Sequence, residues 1–291
     1  MRKDSTKFPL NRKLRSRPML DQIRPHGLGH WGSDGNAASM ARNTGGLLIG
    51  ADTLVGNSAR VGVVAGYGHS NFDVGDRNSA GNSADYHLGI YSGGAVGDFS
   101  VRTGVAYTWH TISTNRTAAF PGFSNNLESD YRAGTTQAFG ELAYRLQQDG
   151  ITFEPFANLA YVNLTTDGFT ETGGPAALSS SGGTNSAAFT TLGLRATTKF
   201  NLQNGVEASA HGIVGWRQLI GQTAPMSTHS FAGGTDFTIA GVPLAPSAAL
   251  VEAGIDFRLQ PSTNLSFRYG GEFGSGFIDQ SIKATLSVKL Q

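Results

Sequence analysis

Residues 281–290 read Ser-Ile-Lys-Ala-Thr-Leu-Ser-Val-Lys-Leu. In an extended chain Ile282, Ala284, Leu286, Val288 and Leu290 share one face, and Lys283, Thr285, Ser287 and Lys289 share the other. One face is apolar, the other polar and basic. About ten residues is also the length of a tilted strand that crosses a bilayer's hydrocarbon core. A strand of a soluble sandwich has the same pattern, so the test is whether the chain repeats it, and with what connections.

It does repeat. Working back from the end, alternating segments occupy residues 263–274, 248–258, 206–217, 188–200, 151–163, 135–146, 98–111, 84–92, 60–70 and 46–54. A weaker segment at 27–32 follows Pro25, which suits a strand start or an edge. With 281–290 these make twelve. Short connections alternate with long ones: residues 55–59, 93–97, 147–150, 201–205 and 259–262 are turns, while 112–134, 164–187 and 218–247 are long and rich in Gly, Ser, Thr and Asn. The Asp149-Gly150 pair is a strong hairpin signal. An up-and-down barrel with short turns on one rim and loops on the other has this rhythm, and a sandwich has no reason to keep it. The expected fold is therefore all-β, a twelve-stranded antiparallel up-and-down transmembrane β-barrel. Tyr67, Tyr107, Trp109, Tyr144, Tyr161, Trp216 and Tyr269 fall near strand ends, as interfacial girdles require.

Composition agrees. No stretch is long and apolar enough for a membrane helix, and the mean hydropathy of −0.19 does not argue against a barrel, whose lipid-facing and inward residues cancel. There is no cysteine, hence no disulfide framework and no thiol nucleophile. The net charge of +1 hides an asymmetry. Residues 1–24 carry eight basic side chains against Asp4 and Asp21, which leaves the remainder at −5. Two regions are expected: a basic, disordered arm at 1–24 and the barrel at 25–291.

A basic side chain at the bilayer midplane costs about 2–4 kcal/mol, so charged faces must turn inward. The expected lumen-lining residues are Asp52, Asp85, Arg102, Glu141, Arg145, Glu154, Arg195, Lys199, Glu207, Arg217, Glu252, Asp256, Arg258, Arg268, Glu272, Lys283 and Lys289. Their mixed signs suggest a hydrated interior with internal ion pairs.

Gly46-Leu47-Leu48-Ile49-Gly50-Ala51-Asp52, then Arg60-Val61-Gly62-Val63-Val64-Ala65-Gly66-Tyr67, resembles the opening of autotransporter β-domains. Tyr86-His87-Leu88-Gly89-Ile90-Tyr91, Gly104-Val105-Ala106-Tyr107-Thr108-Trp109, Glu154-Pro155-Phe156-Ala157-Asn158-Leu159-Ala160-Tyr161 and Leu192-Gly193-Leu194-Arg195 extend the likeness over residues 27–290. The resemblance implies a translocator barrel of type V secretion in a bacterial outer membrane, supporting export of an N-terminal passenger. It implies outer-membrane lipid, the barrel assembly machinery and the passenger as partners, and no nucleic acid. The family places a signal, a passenger and a helical linker ahead of the barrel. Residues 1–24 resemble none of them, so a fragment, a truncated reading frame or a degenerate copy is expected, and the asparagine pair at which some members cut themselves is not present in residues 1–30. Ile282, Leu286, Val288 and Leu290 would form the assembly signal, although the family's final aromatic is here Leu290, followed by Gln291.

Two other readings stay open: a simple porin-like channel and an outer-membrane hydrolase barrel. Seven histidines are present, but no HExxH and no GxSxG occurs, and the Gly-rich loops lack a Walker lysine. Neither catalytic residue, cofactor nor metal is expected.

Overall fold

The computed structural model describes residues 40–289 apart from residues 57 and 204. The arm at 1–24 and the first expected strand at 27–32 lie outside the described residues, as do Leu290 and Gln291. Among the described residues the fold is all-β, with sixteen strands in two sheets. In chain order they are β1 (Ala41–Val55), β2 (Ala59–Val74), β3 (Ser79–Val96), β4 (Phe99–Phe120), β5 (Phe123–Tyr144), β6 (Leu146–Gln148), β7 (Ile151–Thr166), β8 (Phe169–Thr170), β9 (Leu178–Ser180), β10 (Gly183–Asn201), β11 (Glu207–Ile220), β12 (Met226–Phe231), β13 (Phe237–Ala240), β14 (Ser247–Gln260), β15 (Thr263–Gly274) and β16 (Phe277–Val288).

The large sheet runs β1-β2-β3-β4-β5-β7-β10-β11-β14-β15-β16, all antiparallel, with β6 continuing β5 along β7. Here the structure corrects the sequence expectation. The sheet does not close into a twelve-stranded barrel; it is an open, curled half-barrel whose edges stand 9 Å apart. Paired strands lie about 4.8 Å apart, so no ladder can form across that gap. Among the described residues the edge strands are β1 and β16.

The second correction concerns strand length. The segment at 112–134, expected as a loop, and residues 71–83, left between two expected strands, are mostly strand. β4 and β5 run 22 residues each and meet at a two-residue turn, Pro121-Gly122. At about 3.3 Å per residue each arm is about 70 Å long, more than twice a hydrocarbon core. Residues such as Thr114, Asn115, Asn125, Asn126 and Ser129 put polar groups on both faces there, which hides a strand from period-two reading. The expected loops at 164–187 and 218–247 contribute a second sheet, ordered β13-β12-β9-β8.

Local chemistry explains the punctuation. Asp149 (φ 48°) and Gly150 (φ 80°) both adopt positive φ, as the tight β6–β7 turn requires. β5 and β6 are split at Arg145, which faces the Glu154-Pro155 step of β7. Pro155 has no N–H to give to the ladder. The Arg145 N–H donates to the Asp98 carbonyl at 2.8 Å, continuing the β4 register one step past Phe99 and Tyr144.

The two faces differ sharply. Leu47, Ile49, Val63, Leu88, Ile90, Val105, Leu159, Leu192, Val214 and Leu286 all lie exposed on one face. Ile282 is the extreme, 87% exposed. Aromatic residues flank this band. Tyr67 meets Tyr86 at 5.2 Å and Tyr107 meets Trp109 at 4.7 Å towards the long-hairpin rim, and Phe99 meets Tyr144 at 4.9 Å beside the short turns. The opposite face is polar and close-packed. Its rings lie flat across glycines of the next strand: a Cβ on Gly62 would come within 2.6 Å of the Tyr91 hydroxyl.

Candidate functional site

The polar face is the candidate site. Alternation puts every expected lumen residue of the described strands on it, and strand register decides which of them meet. Arg102 on β4 is the Cα partner of Glu141 on β5, and Glu154 on β7 is the partner of Arg195 on β10. Arg102 pairs with Glu141 and lies 3.4 Å from Glu154. Arg195 reaches Glu141 at 3.3 Å and Glu154 at 3.1 Å, while Arg145 adds a third cation to Glu154 at 3.4 Å. Five charges from four adjacent strands form one network, with three guanidiniums around two carboxylates. Arg195 also lies 5.0 Å over the ring of Phe156, an inward aromatic.

Other pairs ring the same face. Arg60 pairs with Asp52, which also accepts a hydrogen bond from the Tyr91 hydroxyl at 3.0 Å. Arg217 pairs with Glu272 and lies between the rings of Phe189 and Phe277, at 5.0 and 5.8 Å. His211 sits between Glu252 (3.7 Å) and Asp256 (3.5 Å), and Arg268 approaches Asp256 at 3.3 Å. Arg258 pairs with Glu207. Lys283 is half-buried; Lys199 and Lys289, the latter just past β16, are exposed. Sequence reading did not single out Arg60, Tyr91, Phe156 or Phe277. Their inward parity was available, but a ring's packing partner depends on the neighbouring strand's register.

One cluster has the order of a catalytic relay. Asp85 contacts His110 Nδ1 at 2.7 Å, and His110 Nε2 contacts the Thr135 hydroxyl at 2.8 Å. Ser70 and Ser83 donate to the Asp85 carboxylate. Acyl transfer also needs free donors for an oxyanion. β3, β4 and β5 are paired without interruption through Asp85, His110 and Thr135, so their N–H groups serve the ladder. The cluster ties four strands together, β2 to β5. No group of three or more potential metal ligands occurs among the described residues.

Beyond the long-hairpin rim, the β8–β9 segment lies on the polar side of β5. Tyr131 stacks on Phe169 at 4.4 Å, and Leu127 is almost completely buried. Arg116 on β4 grips Glu171 through two hydrogen bonds of 2.8 and 2.6 Å and donates to the Ala176 carbonyl at 2.8 Å. Glu128 and Thr172 exchange backbone hydrogen bonds. Both members of the Arg116–Glu171 pair fall in stretches read as loops, so sequence gave no sign of it. In the same sheet His229 is held in its neutral form, its pKa pushed below the ordinary histidine value by burial; Glu171 opposes that shift and Arg116 adds to it.

Comparisons with known proteins agree with this architecture. A family model described as the autotransporter beta-domain matches residues 26–270. An extracellular serine protease of Serratia marcescens is 34% identical over 265 residues, covering 89% of this chain. The chain spans 25% of that relative's length. Among solved structures, the translocator domain of autotransporter NalP from Neisseria meningitidis superposes with a TM-score of 0.72 at 15% identity, covering 90% of this chain and 85% of that one. The β-domain of the Bordetella autotransporter BrkA gives 0.62 at 20% identity, covering 87% and 93%.

Proposed function

The chain belongs to the autotransporter β-domain family, the outer-membrane translocators of type V secretion, and from that premise we propose that its charged face is the lumen wall along which an attached passenger is exported. The observation that carries the proposal is the segregation of the two faces. The apolar face is a continuous band flanked by aromatic residues, suited to lipid. The other carries cations and anions already paired with one another, so a polypeptide can slide past without meeting a strong field of one sign. The long hairpin and the small sheet then belong to the cell-surface rim, and the short turns to the periplasmic rim.

The relatives leave room for such a passenger, because the chain matches only 25% of the Serratia protease's length. We also infer that the outward set on β16, Ile282, Leu286 and Val288, is what the barrel assembly machinery reads, with Leu290 beyond it. These side chains are exposed, and among the described residues β16 pairs on one side alone, with β15.

The test is export. A signal peptide and an epitope-tagged test passenger are fused ahead of Met1 and expressed in a Gram-negative host. Protease added to intact cells should remove the epitope while the barrel stays folded in the outer membrane. A folded barrel with the epitope protected in the periplasm would refute translocation and favour a channel.

A further inference from the structure

We propose that His229 makes the small sheet an acid-labile cover at the long-hairpin end of the half-barrel. The sheet β13-β12-β9-β8 is separate from the large sheet and lies on the polar side of β5. Its two halves are held differently. β8 and β9 are pinned to the hairpin by the Arg116–Glu171 pair, by the Glu128–Thr172 bridge and by the Asn125 side chain, which accepts from the Ala176 N–H at 3.1 Å. β12 joins β9 through three residue pairs only, one of which is His229 with Ser180.

The His229 ring lies between Phe169, 6.2 Å away edge-on, and Phe237 at 6.3 Å. Its Nε2 meets the Ser227 hydroxyl at 2.9 Å, while Nδ1 is buried and has no hydrogen-bond partner. A neutral imidazole tolerates a bare Nδ1 there. A second proton would place a cation and an unpaired N–H among aromatic rings, which is costly. The charged groups acting on the ring are Glu171 and Arg116, and they are already engaged with each other. Tyr131, stacked on Phe169, is the remaining titratable neighbour.

The sign follows from linkage. A histidine whose folded pKa is depressed binds its proton more readily once the sheet opens. The closed cover is therefore fully stable above about pH 6.5 and weakens as pH falls below it. At pH 5.5 the opening equilibrium should be more favourable than at pH 7.5, by at most about ten-fold.

Hydrogen exchange on the folded protein in detergent tests this. Protection factors for β12 and β9 should fall from pH 7.5 to pH 5.5, by at most about ten-fold, while those of β14 stay constant. His229→Phe keeps a ring between Phe169 and Phe237 but cannot take a proton, and should abolish the drop; His229→Gln should do the same if the phenylalanine variant disturbs the sheet. An unchanged wild type, an equal drop in β14, or a drop that persists in both variants would overturn the proposal.

Discussion

Arg195 and Glu154 face each other as register partners on β10 and β7, with a guanidinium nitrogen 3.1 Å from a carboxylate oxygen. Both side chains are about nine-tenths buried, and neither pairs with the other alone: Arg195 also reaches Glu141, and Glu154 also meets Arg102 and Arg145. Breaking one member of a buried network leaves charges uncompensated, which matters more than the net worth of any single pair.

The members of that network should therefore differ in cost. Glu154→Gln strips three guanidiniums of a shared anion and should destabilise the folded domain by about 3–5 kcal/mol. Arg145→Ala removes a more exposed side chain that contacts only Glu154 among the carboxylates, and should cost about 1 kcal/mol or less. Urea midpoints in lipid vesicles measure both; equal midpoints would show that the network does not act as a unit.

Packing of rings on glycines gives a second contrast. At Gly62 an added methyl would meet the Tyr91 hydroxyl at 2.6 Å and the Asp52 Cβ at 2.7 Å, whereas at Gly140 nothing lies within 4 Å. Gly62→Ala should cost about 1–3 kcal/mol, and Gly140→Ala should be close to neutral. The temperature at which the folded gel band converts to the unfolded one reports the difference.

How much of this the sequence disclosed depended on which surroundings each residue meets. Ile90, Leu192 and Leu286 contrast with their polar neighbours within one strand, so eleven of the twelve expected strands have counterparts in the large sheet. Thr114 and Asn125 lie where both faces are polar, which gives the long hairpin arms the sequence pattern of loops. Closure depends on how the edge strands meet, and no alternation within one strand reports that. The inward charges were legible by parity. Their partners were not, since the Arg102–Glu141 meeting requires the β4–β5 register. His229 and Glu171 gave no signal, because the small sheet joins segments about 50 residues apart.

The apolar face should reject charge in proportion to depth. Ile90→Arg, in the middle of the band, should destabilise insertion by about 2–4 kcal/mol, and Thr111→Arg, beyond the Tyr107–Trp109 pair, by about 0–1 kcal/mol. The folded fraction recovered from vesicles compares them.

If β16 is the strand read during assembly, Leu286→Asp should lower the folded fraction in outer membranes more than Thr285→Asp, its neighbour on the opposite face. Heat-dependent gel migration scores both variants, and equal recovery would remove β16 from that role.

The two-faced sheet and its orientation are tested most directly by thiol labelling, since the chain has no cysteine of its own. Single substitutions Gly122→Cys at the long hairpin tip, Gly150→Cys in a short turn and Ile90→Cys on the apolar face are treated with a membrane-impermeant maleimide. Gly122→Cys should label on intact cells, Gly150→Cys only after the outer membrane is permeabilised, and Ile90→Cys in neither case until the protein is unfolded. Labelling of Ile90→Cys in intact cells as fast as Gly122→Cys would contradict the assignment of that face to lipid, and with it the translocator account.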